Sequence, residues 1–137
     1  MIQIDITKQL HTADGMIDLV VNKEIQNGDF LTLFGKSGSG KTTLLRIIAG
    51  LETPKSGKII VDGVTWFDSS KEINLPPQKR NVGFVFQDYA LFPNMTVRGN
   101  LEFALNNTKN KNIVDEILEI MEIENLANMK PEHLSGG

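Results

Sequence analysis

Residues 35–42 read Gly35-Lys36-Ser37-Gly38-Ser39-Gly40-Lys41-Thr42, and no other stretch of the chain limits its possible folds so tightly. The glycines let the backbone curl until consecutive N–H groups point inward at one spot, which suits an anion. Phe30-Leu31-Thr32-Leu33-Phe34, just before, predicts a buried strand ending at Gly35. After it, Leu44, Leu45, Ile47 and Ile48 fall at helical spacing from Lys41 onward, and Gly50 is placed to stop that helix. Strand, G-x-x-x-x-G-K-[ST] and helix in that order make a phosphate-binding loop. The helix N-terminus adds partial positive charge. Lys41 supplies a mobile full charge for β- and γ-phosphates, and the Thr42 hydroxyl can ligate Mg²⁺. A flexible glycine-rich turn is the alternative. The flanking strand and helix argue against it. The motif alone says only that the chain binds nucleotide phosphate.

The remaining pattern is mixed α and β. Ile2, Ile4 and Ile6 alternate with polar residues as in a half-buried strand, and Ile17 to Val21 is a second apolar run. Asn27-Gly28-Asp29 signals a turn. Lys58 to Val61 and Val64 to Phe67 flank Asp62-Gly63, a hairpin signal. The polar stretch from Asp68 to Lys79, with Pro76-Pro77, reads as a loop, and Val82 to Phe86 as another buried strand. Thr96 can cap a helix from Val97. Ile113, Val114, Ile117, Leu118 and Met121 make the apolar stripe of a further helix.

Composition closes off several classes. With 40% hydrophobic residues in 137, the chain can bury a core, and a net charge of -3 gives it no general attraction to nucleic acid. It has no cysteine, so disulfides and thiolate metal sites are excluded. Its start lacks the form of a signal peptide, and no apolar run approaches the roughly 20 residues of a membrane helix. A cytosolic chain is expected.

Two further segments narrow the reading. Gln87, directly after the second expected buried strand, could reach the phosphate end of a site from that strand's carboxyl edge. Its amide oxygen could ligate Mg²⁺ or hold an attacking water. An ordinary polar strand end is the alternative. Leu134-Ser135-Gly136-Gly137 could open a helix as a second anion cradle, or be a plain loop.

In this order and at this separation the three segments resemble the ABC ATPase family, and the resemblance covers essentially the whole chain. Gly35 to Thr43 looks like its Walker A loop, Gln87 like its Q-loop glutamine, and Leu134 to Gly137 like the start of its LSGGQ signature. The resemblance implies an α/β P-loop NTPase fold with a RecA-like core, an antiparallel β-subdomain and a helical subdomain. Residues 1–87 would be core and β-subdomain, and 88–137 the helical subdomain. It implies ATP and Mg²⁺ as cofactors. Gly35, Lys36, Ser37, Gly38, Ser39, Gly40, Lys41, Thr42 and Thr43 would hold the nucleotide. Thr42 and Gln87 would hold the metal, and Lys41 and Gln87 would assist hydrolysis. Ser135, Gly136 and Gly137 would reach the nucleotide of a second subunit in a head-to-tail homodimer.

Leu75 to Asp88 and Ala90 to Val97 resemble importer ATPases for inorganic ions, sugars and polyamines. Val97-Arg98-Gly99-Asn100-Leu101 and Met121 to Leu126 are similar to the molybdate branch. Molybdate is then the expected cargo, with sulfate, ferric iron and polyamine as alternatives. Transmembrane permease subunits would be the partners, on the inner face of the cell membrane. Tyr89, Leu91, Phe92 and Pro93, unusually apolar for an exposed loop, would offer a groove to a permease helix or else fill local core.

Two departures stand out. Leu10 to Met16, where the family carries an aromatic for the adenine, has no Phe, Tyr or Trp, although His11 or Met16 could pack there. The family's Walker B aspartate, catalytic glutamate and switch histidine lie beyond LSGG. The expectation is a C-terminally truncated piece that does not hydrolyse ATP alone. His133 precedes the signature and is expected at the surface.

Overall fold

The computed structural model describes the whole chain except residues 13–14, 88–89, 106–111 and 135–137. It falls into two compact units, Met1–Phe84 and Val85–Gly137.

The first unit is built on a five-stranded sheet. Strands β1 (Ile2–Thr12) and β2 (Gly15–Ile25) form a long antiparallel hairpin. After helix α1 (Lys41–Ile48) come β3 (Ser56–Val61), β4 (Val64–Asp68) and a short β5 (Ile73–Asn74). The order across the sheet is β2-β1-β3-β4-β5, with every neighbouring pair antiparallel. Asp62 and Gly63 both take positive φ (47° and 81°), the turn that the twist of a two-residue hairpin requires. Alternation along β1 decides which face is core. Ile4 and Ile6 are buried, and with Ile59, Trp66 and Phe67 they cluster with Leu44 and Ile47 of α1. Gly50, at φ 78°, stops the helix: its N–H donates to Ile47 O, and that of Leu51 to Arg46 O.

The two expected buried strands of the nucleotide core are not strands here. Residues 30–34 and 82–86 are irregular. Phe30 is 95% exposed, Phe34 101% and Val85 95%, while Leu33 alone among residues 30–34 packs on the first unit's core. An apolar run becomes a strand only where a neighbour completes its hydrogen bonds. Neither segment pairs with a strand among the described residues. The stretch expected as loop from Asp68 to Lys79 is more ordered than its polarity suggests: it contains β5 and a 3₁₀ turn at Pro77–Lys79.

The second unit holds helices α2 (Val97–Ala104) and α3 (Ile113–Ile120) and 3₁₀ turns at Glu124–Leu126 and Pro131–His133. Thr96 caps α2 as expected, its hydroxyl accepting from the Gly99 N–H. The next two free donors are met from elsewhere: Val97 N–H donates to Met129 O and Arg98 N–H to Ala127 O. Val114, Leu118 and Ala127 form the core, with Val97, Leu101, Leu105, Ile113 and Ile123 against it. Met121, expected on the same stripe, is exposed, since α3 ends one residue before it.

Candidate phosphate-binding loop

The loop from Gly35 leads directly into α1. Gly38 and Gly40 take φ of 79° and 91°, left-handed values that bend the chain back on itself. Ser39 N–H donates to Lys36 O across the turn at 3.3 Å. Gly40 is doubly constrained, because a Cβ there would come within 2.8 Å of the Leu10 side chain and 3.1 Å of Leu19. The β1–β2 hairpin thus presses on the helix start through two leucines. A Cβ on Gly35 would lie 2.9 Å from Ser39 Oγ, so the loop is closely wound at its entrance too.

Lys41 reaches back over this loop. Its Nζ donates to Gly35 O at 2.8 Å and to Lys36 O at 2.7 Å, and lies 3.5 Å from Ser39 Oγ. The ammonium is therefore held at the mouth of the turn by neutral carbonyls. No side chain caps the N-terminus of α1, and no acidic residue occupies its first turn. The first N–H groups of a helix have no acceptor within it. Here they face no competing side-chain anion, and a full positive charge stands beside them. Thr42 is exposed and Thr43 half-buried, so the Thr42 hydroxyl is open to a ligand. Among the described residues no group of three His, Asp or Glu side chains could hold a metal ion. A cation at this loop would draw ligands from Thr42 and from the phosphates themselves, which suits Mg²⁺.

The other expected site residues are placed less closely. Gln87 is exposed and belongs to the second unit. Ser135, Gly136 and Gly137, and Tyr89, lie outside the described residues. Leu91 and Phe92 are exposed, Phe92 at 41%, and do not fill core. Phe92 meets Phe103 edge-on, ring centroids 4.6 Å apart, and its N–H and C=O both bond to the Asn100 amide. His133 is exposed beside Glu132. Nothing in the sequence pattern pointed to Leu10 and Leu19 as the residues that brace the loop, since only the folded hairpin brings them to Gly40.

No described helix is long and apolar enough to cross a membrane. A family model described as ABC transporter matches residues 20–137. The chain is 48% identical to the spermidine/putrescine import ATP-binding protein PotA of Lawsonia intracellularis, over 85% of this chain and 32% of that protein. It is 46% identical to the molybdenum import ATP-binding protein ModC of Paramagnetospirillum magneticum, over 77% of this chain and 30% of that protein. It is 45% identical to a probable sulfate/thiosulfate import ATP-binding protein CysA of Chlorella vulgaris, over 85% and 49%. The chain thus spans between about a third and a half of the length of these relatives. Among solved structures, the dimeric structure of MJ0796, a bacterial ABC transporter cassette, aligns with a TM-score of 0.76 at 31% identity, covering 99% of this chain and 64% of that one. With its phosphate loop, its antiparallel sheet and a family match running from β2 to Gly137, the chain belongs to the ABC transporter family.

Proposed function

We propose that this chain is the nucleotide-binding front of an importer ATPase, with molybdate as its first-choice cargo. The observation that carries the nucleotide reading is the wound loop itself: an uncapped helix start, no acidic neighbour in the first turn, and Lys41 held at its mouth. A nucleotide's phosphates would take over from the Gly35 and Lys36 carbonyls as partners of the Lys41 ammonium. Backbone N–H groups of Gly38 to Thr43 would cradle the phosphate oxygens, and the Thr42 hydroxyl and Gln87 would hold Mg²⁺. That ion, when bound, would neutralise charge on the phosphates. In the whole protein, Ser135 to Gly137 of a second copy would close over the nucleotide. The dimeric MJ0796 cassette supports that arrangement. Permease subunits on the inner face of the membrane would receive the motion.

The cargo reading rests on Val97 to Leu101 and Met121 to Leu126, and a ModC relative supports it. PotA and CysA relatives of similar identity keep polyamine and sulfate as rivals. Two measurements test the proposal. Titration of an ATP analogue with Mg²⁺ should show saturable binding to the chain, and absence of binding by folded protein would remove the phosphate-loop reading. Uptake of labelled molybdate, sulfate and spermidine by cells with and without the whole protein should show loss of molybdate uptake. Loss of another cargo would reassign it.

A further inference from the structure

Arg80 is a charged residue only 5% exposed, and no carboxylate lies within ion-pair distance of it among the described residues. Its guanidinium is spent on neutral oxygens. Nε donates to Leu75 O at 2.8 Å. One terminal nitrogen donates to Ile47 O and Ile48 O, each at 2.8 Å. The other donates to Asn74 Oδ1 at 3.1 Å and Trp66 O at 3.4 Å. The group sits 5.6 Å from the Trp66 ring centroid. Gly50 leaves room for it, since a Cβ there would come within 2.7 Å of Nε. Burial lowers the Arg80 pKa, but an arginine so placed remains charged.

Ile47 and Ile48 are the last residues of α1, where the helix dipole is negative; Arg80 joins the Gly50 N–H on Ile47 O and bonds Ile48 O as well. One side chain therefore caps the helix from behind and ties it to β4 and to the β5 end. A buried cation is a weak source of stability, because desolvation offsets what its bonds supply. Its geometric effect is larger. Helix α1 has eight residues, about 12 Å of rise. In a rod this short, a shift or tilt at the C-terminus is carried to the N-terminus, where Lys41 and Thr42 stand and where Leu10 and Leu19 already press on Gly40.

We propose that Arg80 is a positioning residue for phosphate binding, anchoring α1 so that the loop, Lys41 and Thr42 stand preset for the nucleotide. This inference rests on the phosphate-loop reading above. It is tested in the full chain with Arg80→Met, Arg80→Lys and, as a control in the same core, Ile6→Val. Circular dichroism selects conditions where each variant is folded. ATP-analogue titration then gives affinity, and the amide NMR shifts of Gly38, Gly40 and Lys41 report the loop. Arg80→Met should weaken binding at least tenfold and move the loop shifts. Arg80→Lys, with three donors for the same carbonyls, should recover part of both. Ile6→Val should lower the urea midpoint yet leave affinity and loop shifts at parent values. Parent-like affinity and shifts in folded Arg80→Met overturn the proposal. If that variant does not fold, parent-like values in Arg80→Lys overturn it, and weakened binding with moved shifts supports it. Equal weakening by Ile6→Val also overturns it, by reducing the effect to stability. A parent chain that binds no nucleotide removes the phosphate-loop reading first, and this proposal with it.

Discussion

Replacing Lys41 by alanine isolates the charge at the mouth of the loop. The ammonium is half-buried and makes two close bonds to carbonyls of its own loop. A phosphate must compete with those bonds. Two unit charges about 4 Å apart attract by about 4 kcal/mol at an effective dielectric of about 20. Surrendering two carbonyl bonds costs roughly 1 kcal/mol each. The difference, about 2 kcal/mol, is roughly a thirtyfold change in affinity. The helix should survive, since Leu44 and Ile47 hold α1 to the core and both are kept. Lys41→Ala should therefore keep its circular dichroism while an ATP analogue binds at least tenfold more weakly, about 1.4 kcal/mol. The loss should shrink as salt is raised, because part of it is Coulombic attraction at a partly exposed site. Unchanged affinity in folded protein would refute the reasoning, since it would leave the anion held by N–H dipoles alone.

Three other outcomes are expected. The 137-residue chain should hydrolyse ATP at no more than background, the general base being assigned beyond it by the family resemblance; turnover of about 1 per second in a clean preparation would show that the base has been misplaced. In the whole protein, Phe92→Ala should leave ATP binding nearly intact and weaken assembly with the permease by about 2 kcal/mol, as for an aromatic anchor; normal assembly and transport would exclude the groove. Asp68 is held below the ordinary carboxylate pKa by the Ser70 hydroxyl first, with the Ser70 N–H and Lys58 adding to it and burial opposing. Its stabilisation is then present above the unfolded value and fades as pH falls below about 4; the urea-midpoint gap between parent and Asp68→Asn should narrow from pH 7 to pH 3, and an equal gap at both would count against it.

The features legible in the sequence are those whose cause is local. Asp62-Gly63 sets a turn whatever surrounds it. Thr96 needs only the next helical turn to act as a cap, and Gly50 needs only the helix it ends. The loop from Gly35 to Thr42 was legible for the same reason, because its winding, its helix start and Lys41 are all within eight residues. The alternation of Ile2, Ile4 and Ile6 was legible as a strand, although not that its antiparallel hairpin would extend to Thr12. The failures are non-local. Phe30 to Phe34 and Val82 to Phe86 have the composition of buried strands. Composition states a preference for burial, whereas strand formation depends on joining a sheet, and neither segment is a strand of the sheet among the described residues.

The same division explains why Arg80 was passed over and Lys41 was not. A lysine between a glycine and a threonine carries its meaning in its neighbours. An arginine after a polar proline-rich stretch looks like solvated surface until Ile47, Trp66 and Leu75 converge on it. Its three anchoring regions are separated by 14 to 33 residues from Arg80 at their farthest two points, Trp66 and Ile47. No local pattern could report that convergence. In the positioning role proposed for Arg80, that convergence adds a tie at the C-terminus of α1 to the hold that its two buried residues, Leu44 and Ile47, already give. On that proposal the motif supplies the phosphate chemistry, and a side chain outside the motif helps to align it.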